Sequence, residues 1–175
     1  MVCEKCLEEA KEIMLRISDN IKELGFSDIH YVYSGRGYHL RILNKELLHT
    51  SSVFISELVN YVLATEVPEP TIELQHFIIP FEYSKIYTDW FKYTVNRLDA
   101  NKRYSGLDEN LKNSIIQRRE LVNTNQWGIL RGEINPIKYY KLTHEIAEIH
   151  KQLCDSKVSI DTKRILRLPV HYTIK

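Results

Sequence analysis

A short cationic turn between two β-like runs carries the residues best suited to chemistry in this sequence. Ser34–Gly37 reads Ser-Gly-Arg-Gly, and His39 follows two residues later. A hydroxyl, a planar guanidinium and an imidazole can together bind phosphate oxygens. The glycines allow backbone N–H groups to approach a ligand closely. The turn is therefore a candidate phosphate-binding site.

Two predicted strands hold this turn. Ile29–Tyr33 is rich in β-branched and aromatic residues, and Tyr38–Leu43 alternates apolar with polar residues. The period of two in a strand sends His39 and Arg41 to the same face, which suits phosphate. Taken alone, a glycine-rich turn between strands is more typical of a plain hairpin than of a phosphate site.

Most of the remaining sequence has helical spacing. An amphipathic pattern over Leu7–Leu24 stops at Gly25, and a later strand over Lys157–Ile160 precedes a short helix over Thr162–Leu168. Short polar or glycine-containing stretches at Asn123–Gln126 and Gly132–Pro136 read as connections. The other predicted helices are Ser51–Leu63, Phe81–Leu98, Leu107–Val122 and Pro136–Leu153.

The composition fits one domain, or one domain with an inserted lobe. The 175 residues include 24 Lys and Arg and 23 Asp and Glu, a formal net charge of +1. Any contact with nucleic acid must therefore rely on local basic clusters. No apolar run is long enough to span a bilayer, and no signal segment opens the sequence, so we expect a soluble, cytoplasmic protein with no membrane partner.

Three stretches resemble motifs of the small catalytic subunit of archaeal and eukaryotic DNA primases, and they occur in the family's order. Ser34–His39 (SGRGYH), followed by a short apolar strand, resembles the second motif. Lys157–Pro169 (KVSIDTKRILRLP) is similar to the third motif. Cys3–Lys11 (CEKCLEEAK) resembles the last half of the zinc knuckle and the helix after it in archaeal members.

The resemblance implies an α+β fold, the primase-polymerase catalytic core, with a mixed β-sheet and an inserted helical region. Residues 1–45 would hold the end of the zinc knuckle, a helix and the β-turn-β unit. Residues 46–150 would form a mainly helical insertion, and residues 151–175 a strand and helix that return to the core. The aromatic residues around Trp90 and Phe91 are expected to form a core face, with a partner contact as the alternative.

The resemblance also implies roles for single residues. In the family, the serine, arginine and histidine of the second motif contact the triphosphate of the incoming nucleotide, which points to Ser34, Arg36 and His39. Asp155 resembles the family's third metal-binding aspartate, since it precedes Val158–Asp161 by three positions as that aspartate precedes the matching run. A solvated residue at the mouth of a strand is the alternative reading of Asp155.

Further candidates lie near the third motif. Arg164 and Arg167 are three residues apart on one helical face, so they either contact phosphate or template together or form a solvated face. Family members place a histidine and a lysine, two apart, shortly after the proline. His171 comes two residues earlier than that pattern and is the candidate nucleotide contact, and Lys175 is the weaker match.

Metal ligands are the main departure from the family. Two-metal phosphoryl transfer needs carboxylates that hold Mg²⁺ or Mn²⁺. The family supplies two of them from an Asp-x-Asp strand N-terminal to the knuckle, and no Asp-x-Asp pair occurs in this sequence. Cys3 and Cys6 would likewise supply half of a tetrahedral zinc site.

The expected function is synthesis of short RNA primers, with DNA primers as a variant, on a single-stranded DNA template from nucleoside triphosphates. An iron-sulfur large subunit is the implied partner, and the nucleoid is the implied site of action. We expect the C-terminal part of a primase small subunit, with the Asp-x-Asp segment on a separate chain or cut away. The alternative is a non-catalytic remnant that binds nucleotides or nucleic acid.

Overall fold

The computed structural model describes residues 4–35, 37–47, 49–67 and 80–154. Within these residues the fold is α+β, as the sequence predicts, with mostly α-helices and one small two-stranded antiparallel sheet. No helix among them is long and apolar enough to cross a membrane. The elements are α1 (Glu4–Glu23), β1 (Ile29–Tyr33), β2 (Tyr38–Ile42), a 3₁₀ turn (Lys45–Leu47), α2 (Ser52–Leu63), α3 (Pro80–Tyr83), α4 (Lys85–Arg97), α5 (Glu109–Gln117), α6 (Arg119–Asn123), α7 (Trp127–Ile134) and α8 (Pro136–Lys151).

Two long predicted helices are each divided in the structure. The pattern over Phe81–Leu98 forms α3 and α4, because Ser84 adopts an extended backbone and its side chain accepts a hydrogen bond from the backbone N–H of Tyr87. The pattern over Leu107–Val122 forms α5 and α6, with the break at Arg118. Hydrophobic periodicity continues across both breaks, so periodicity alone does not reveal them.

The predicted connection over Gly132–Pro136 is wrong for most of its length. Gly132 lies inside α7, whose Leu130 and Ile134 are buried, so a single glycine does not end this helix. The break falls on Asn135 alone, at φ 81°. The Asn135 side-chain oxygen accepts a hydrogen bond from the N–H of Ile137 at 3.0 Å and so begins α8.

The hairpin β1–β2 has two faces of different chemistry. Ile29 pairs with Ile42, and Tyr33 pairs with Tyr38, so directly opposed residues point to the same side. The apolar face consists of Ile29, Tyr31, Tyr33, Tyr38, Leu40 and Ile42. The basic face consists of His30, Val32, His39 and Arg41. An isolated hairpin is only marginally stable in water, so the apolar face needs support.

Helix α1 provides that support and joins the hairpin to the other helices. The hydroxyl groups of Ser18 and Tyr31 are hydrogen-bonded at 2.6 Å, and Ser18 is fully buried. Helix α1 also contacts α4, because the guanidinium group of Arg16 lies 4.3 Å from the ring centroid of Tyr93 of α4. The guanidinium group of Arg97, also on α4, lies 4.5 Å from the same ring centroid. Arg97 also pairs with Glu9 and Glu12 of α1. The hairpin is therefore positioned through α1.

Three helices meet at the buried C-terminal end of α2. The last carbonyls of a helix have no partner within the helix. Here the carbonyl of Val62 accepts hydrogen bonds from Asn20 Nδ2 of α1 at 3.1 Å and from Trp90 Nε1 of α4 at 2.7 Å. The carbonyl of Ala64 accepts one from His150 Nδ1 of α8 at 2.9 Å. Ala64 itself adopts the left-handed conformation that ends α2.

The aromatic residues of α4 form the core rather than a partner surface. Trp90 and Phe91 are fully buried, as are Phe81 of α3 and Tyr139 of α8. Rings of Phe81 and Trp90 lie 6.1 and 5.5 Å from the imidazole of His150. The core-face interpretation of Trp90 and Phe91 is therefore confirmed.

Burial makes His150 a pH-sensitive point of the fold. Desolvation lowers its pKa from 6.5 to about 4, so the folded protein holds it neutral, with Nε2 accepting a hydrogen bond from Thr94 Oγ1 at 2.8 Å. The unfolded chain binds this proton first as the pH falls. The stability it contributes is therefore complete above pH 6.5 and is lost as the pH falls toward 4.

We predict that lowering the pH from 7 to 5 removes about 2 kcal/mol of unfolding free energy through this one group. Urea denaturation of the wild-type protein and of His150→Gln at both pH values measures the effect. The glutamine variant should be less stable at pH 7, and the gap between the two proteins should narrow at pH 5. A gap that stays constant would contradict the assignment.

Candidate phosphate-binding site

The turn between β1 and β2 is closed by Ser34. Its backbone N–H donates to the carbonyl of Gly37 at 3.0 Å, and its hydroxyl donates to the same carbonyl at 3.1 Å. Ser34 and Gly35 are both exposed. In this arrangement the hydroxyl oxygen can still accept a hydrogen bond. To donate one to a phosphate, the hydroxyl would rotate away from Gly37.

Gly35 is required by the backbone of this turn. Its φ is +84°, in a region that residues with a Cβ adopt at a cost, and no atom lies within 4 Å of where a Cβ would stand. Gly37 does not have a positive φ, and its Cβ position is also open. The conformation of the turn therefore requires glycine at Gly35 only. A Cβ added at Gly35 or at Gly37 would meet no other atom within 4 Å.

The predicted pairing of His39 and Arg41 on one face is confirmed, and the register adds a residue that the sequence pattern did not single out. His30 lies directly opposite Arg41 on the basic face, and Val32 lies opposite His39. Alternation along β1 predicts that His30 and Val32 share a face of that strand. Only the pairing register shows that this is the face that carries His39 and Arg41 of β2. Three of the four side chains on this face can carry positive charge.

The basic face is accessible among the residues that the structure describes. His39 is exposed, and the His30 side chain is 58% exposed. His30 Nε2 is hydrogen-bonded to Asp28 Oδ1 at 3.1 Å. Arg41 is half-buried and forms no ion pair with a carboxylate in the described part of the chain. This face therefore offers cationic groups to a ligand.

The structure describes only some of the predicted site residues. Of the predicted metal ligands, it describes Cys6, which is exposed on the first turn of α1. Across residues 4–35, 37–47, 49–67 and 80–154, no group of three or more His, Cys, Asp or Glu side chains could hold a metal ion. The predicted site residues outside these ranges are Cys3, Arg36, Asp155, Arg164, Arg167 and His171.

A groove elsewhere on the surface does not compete for phosphate. It lies between α1 and α4 and is lined by the carboxylates of Glu12, Asp19, Glu23 and Asp89, with Arg16 and Lys85. Lys85 Nζ already contacts Glu23 at 2.5 Å and Asp89 at 3.0 Å. The excess of carboxylates repels a polyanion.

The chain is similar to known proteins along almost its whole length. A family model for the DNA primase small subunit matches residues 1–173. DNA primase small subunit PriS of Methanobrevibacter smithii is 40% identical over 179 residues, covering 96% of this chain and 55% of the relative. The corresponding protein of Methanothermobacter thermautotrophicus is 34% identical over 176 residues, covering 96% of this chain and 54% of the relative. That of Thermococcus kodakarensis is 32% identical over 183 residues, covering 96% and 51%.

An α+β chain with a cationic glycine-rich hairpin is thus matched along almost its whole length by one family. The chain belongs to the DNA primase small subunit family. It spans about half the length of the curated relatives that it matches.

We predict that Gly35→Ala destabilises the protein by about 1 kcal/mol, because alanine is strained at this positive φ. Gly37→Ala is the matched control, since it adds the same methyl group in the same turn without a positive φ. Urea denaturation of the two variants measures the difference. Equal stabilities would show that the turn does not hold Gly35 in this conformation.

Proposed function

We propose that this chain binds the triphosphate of a nucleotide through its β1–β2 hairpin, as its part in primer synthesis by a DNA primase. The observation that carries the proposal is the exposed turn with His39 beside it, in a chain of the primase small subunit family. The reaction would join nucleotides by attack of a hydroxyl on an α-phosphate, with single-stranded DNA as template.

The residues of the hairpin would act on the phosphates. Arg36 would donate two parallel hydrogen bonds from its guanidinium to phosphate oxygens, and His39 would donate from its imidazole. Ser34 would shape the turn and offer its hydroxyl. Together these groups would orient the triphosphate and offset charge on the departing pyrophosphate. His171 is proposed as a further nucleotide contact, and Arg164 and Arg167 as contacts to phosphate or template.

The metal chemistry would need ligands beyond the described residues. Asp155 is proposed as one carboxylate ligand for Mg²⁺ or Mn²⁺, whose role in such transfers is to neutralise charge on the phosphates. The described residues bring no three potential ligands together, and the sequence holds no Asp-x-Asp pair, so they do not form a complete two-metal site. Cys3 and Cys6 would supply two thiolates of a structural zinc site.

Primer synthesis would need further carboxylate ligands beyond those that the described residues bring together. A primase large subunit with an iron-sulfur domain is the proposed partner. The basic face of the hairpin is exposed at His39 and His30, so we expect nucleotide binding to be measurable without those carboxylates. Nucleotide binding and nucleotide addition are thus separable in experiment.

We predict that Arg36→Ala and His39→Ala each weaken binding of a ribonucleoside triphosphate by about 1–3 kcal/mol, because each removes a charged or polar hydrogen-bond donor to phosphate. Isothermal titration calorimetry on the 175-residue protein measures this. His49→Ala is the matched control, since His49 is exposed in a turn after β2. Unchanged affinity in both hairpin variants would mean that the turn is a plain hairpin.

We predict that Asp155→Asn strongly reduces metal-dependent nucleotide addition in a complex that supplies the rest of the small subunit, because an amide is a poor ligand for a hard divalent cation. Binding of single-stranded DNA should change little. Asp161→Asn, six residues away in the same motif region, is the control and should retain most activity.

Full activity of the Asp155→Asn complex would remove the metal role from this residue. The non-catalytic alternative predicts a different pattern: no nucleotide addition by either protein, and DNA binding that depends on Lys163, Arg164 and Arg167. Measurements of both quantities on the same preparations distinguish the two functions.

A further inference from the structure

The basic face of the hairpin continues beyond the residues assigned to the triphosphate. Arg41 follows His39 by two residues on the same side of β2, which places its Cα about 7 Å farther from the turn. His30 stands directly across the ladder from Arg41. Val32, opposite His39, is the only apolar member of this face. The cationic character of the turn therefore extends along the strands.

The opposite side of the hairpin carries no cationic side chain, although Tyr31 and Tyr33 are partly exposed there. Helix α1 lies against it, with the hydrogen bond between Ser18 and Tyr31 at 2.6 Å marking the contact. A polyphosphate held at the turn by Arg36 and His39 would thus extend over the basic face. Arg41 is the first long cation that it would meet there.

The local charges support an anionic ligand at Arg41. No carboxylate forms an ion pair with Arg41 among the residues the structure describes, so its guanidinium is not neutralised there. The nearest acid along the chain to β1 is Asp28, which would repel phosphate. Its Oδ1 is engaged by His30 Nε2 at 3.1 Å, and this hydrogen bond directs the carboxylate to His30.

We propose that Arg41, with His30 beside it, forms a second phosphate contact that extends the triphosphate site along the basic face. This inference rests on the proposed function and adds to it the residues that bind the part of the polyphosphate farther from the turn. Arg41 would hydrogen-bond phosphate oxygens directly. With Nε2–H of His30 donating to Asp28, a protonated His30 would donate a second hydrogen bond to phosphate from Nδ1.

The test uses the 175-residue protein and two probes, a ribonucleoside triphosphate and inorganic tripolyphosphate. Arg41→Gln should weaken binding of both probes by about three- to tenfold, because one charge-assisted contact is lost at a partly exposed site. Arg41→Lys should retain most of the affinity, since it keeps the charge. His30→Gln should weaken binding of both probes by a smaller factor.

Arg103→Gln is the matched control, because Arg103 is exposed in a loop after α4 and distant in sequence from the hairpin. Its affinity should equal that of the wild-type protein. Urea denaturation of each variant separates loss of folding from loss of binding. Arg41→Lys also reports on binding if the glutamine variant is unstable.

Two outcomes would overturn the inference while the proposed function stands. In the first, His39→Ala weakens triphosphate binding and Arg41→Gln does not differ from Arg103→Gln. In the second, Arg41→Gln weakens binding of single-stranded DNA and leaves both phosphate probes unaffected, which would assign Arg41 to nucleic acid. Failure of the wild-type protein to bind either probe would overturn the proposed function together with this inference.

Discussion

The buried C-terminal end of α2 is the constraint on which the described structure depends. A helix end placed in the core leaves carbonyl groups without partners, and an unpaired buried carbonyl is destabilising. The carbonyls of Val62 and Ala64 are satisfied by Asn20, Trp90 and His150, which belong to three different helices. These hydrogen bonds fix how α1, α4 and α8 meet, and the large aromatic side chains fill the space around them.

This constraint reaches the candidate site through α1. The same helix that supplies Asn20 to the core supplies Ser18 to Tyr31 of the hairpin, two residues earlier in sequence. The stacking of Arg16 of α1 on Tyr93 of α4 holds these two helices together, as do the ion pairs of Arg97 of α4 with Glu9 and Glu12 of α1. The hairpin thus presents its basic face outward because its apolar face is held on a helix that is itself fixed in the core.

The sequence predicts the parts of this account that depend on local pattern. The two strands, the turn and the shared face of His39 and Arg41 follow from a period of two, and the helix over Ser51–Leu63 follows from its spacing. The breaks at Ser84 and Asn135 do not, because they come from single-residue backbone conformations inside continuous apolar patterns. The position of His30 opposite Arg41 depends on strand register, and the burial of His150 depends on residues 86 positions apart in sequence.

The proposed binding of a nucleotide triphosphate by the β1–β2 hairpin is directly testable. Backbone amide chemical shifts of the 175-residue protein, measured by NMR during titration with a ribonucleoside triphosphate, test it most directly. We predict that the largest shift changes fall within residues 30–41, with smaller ones in the part of α1 that supports the hairpin. Largest changes in α5 to α8, with the hairpin amides unaffected, would contradict it.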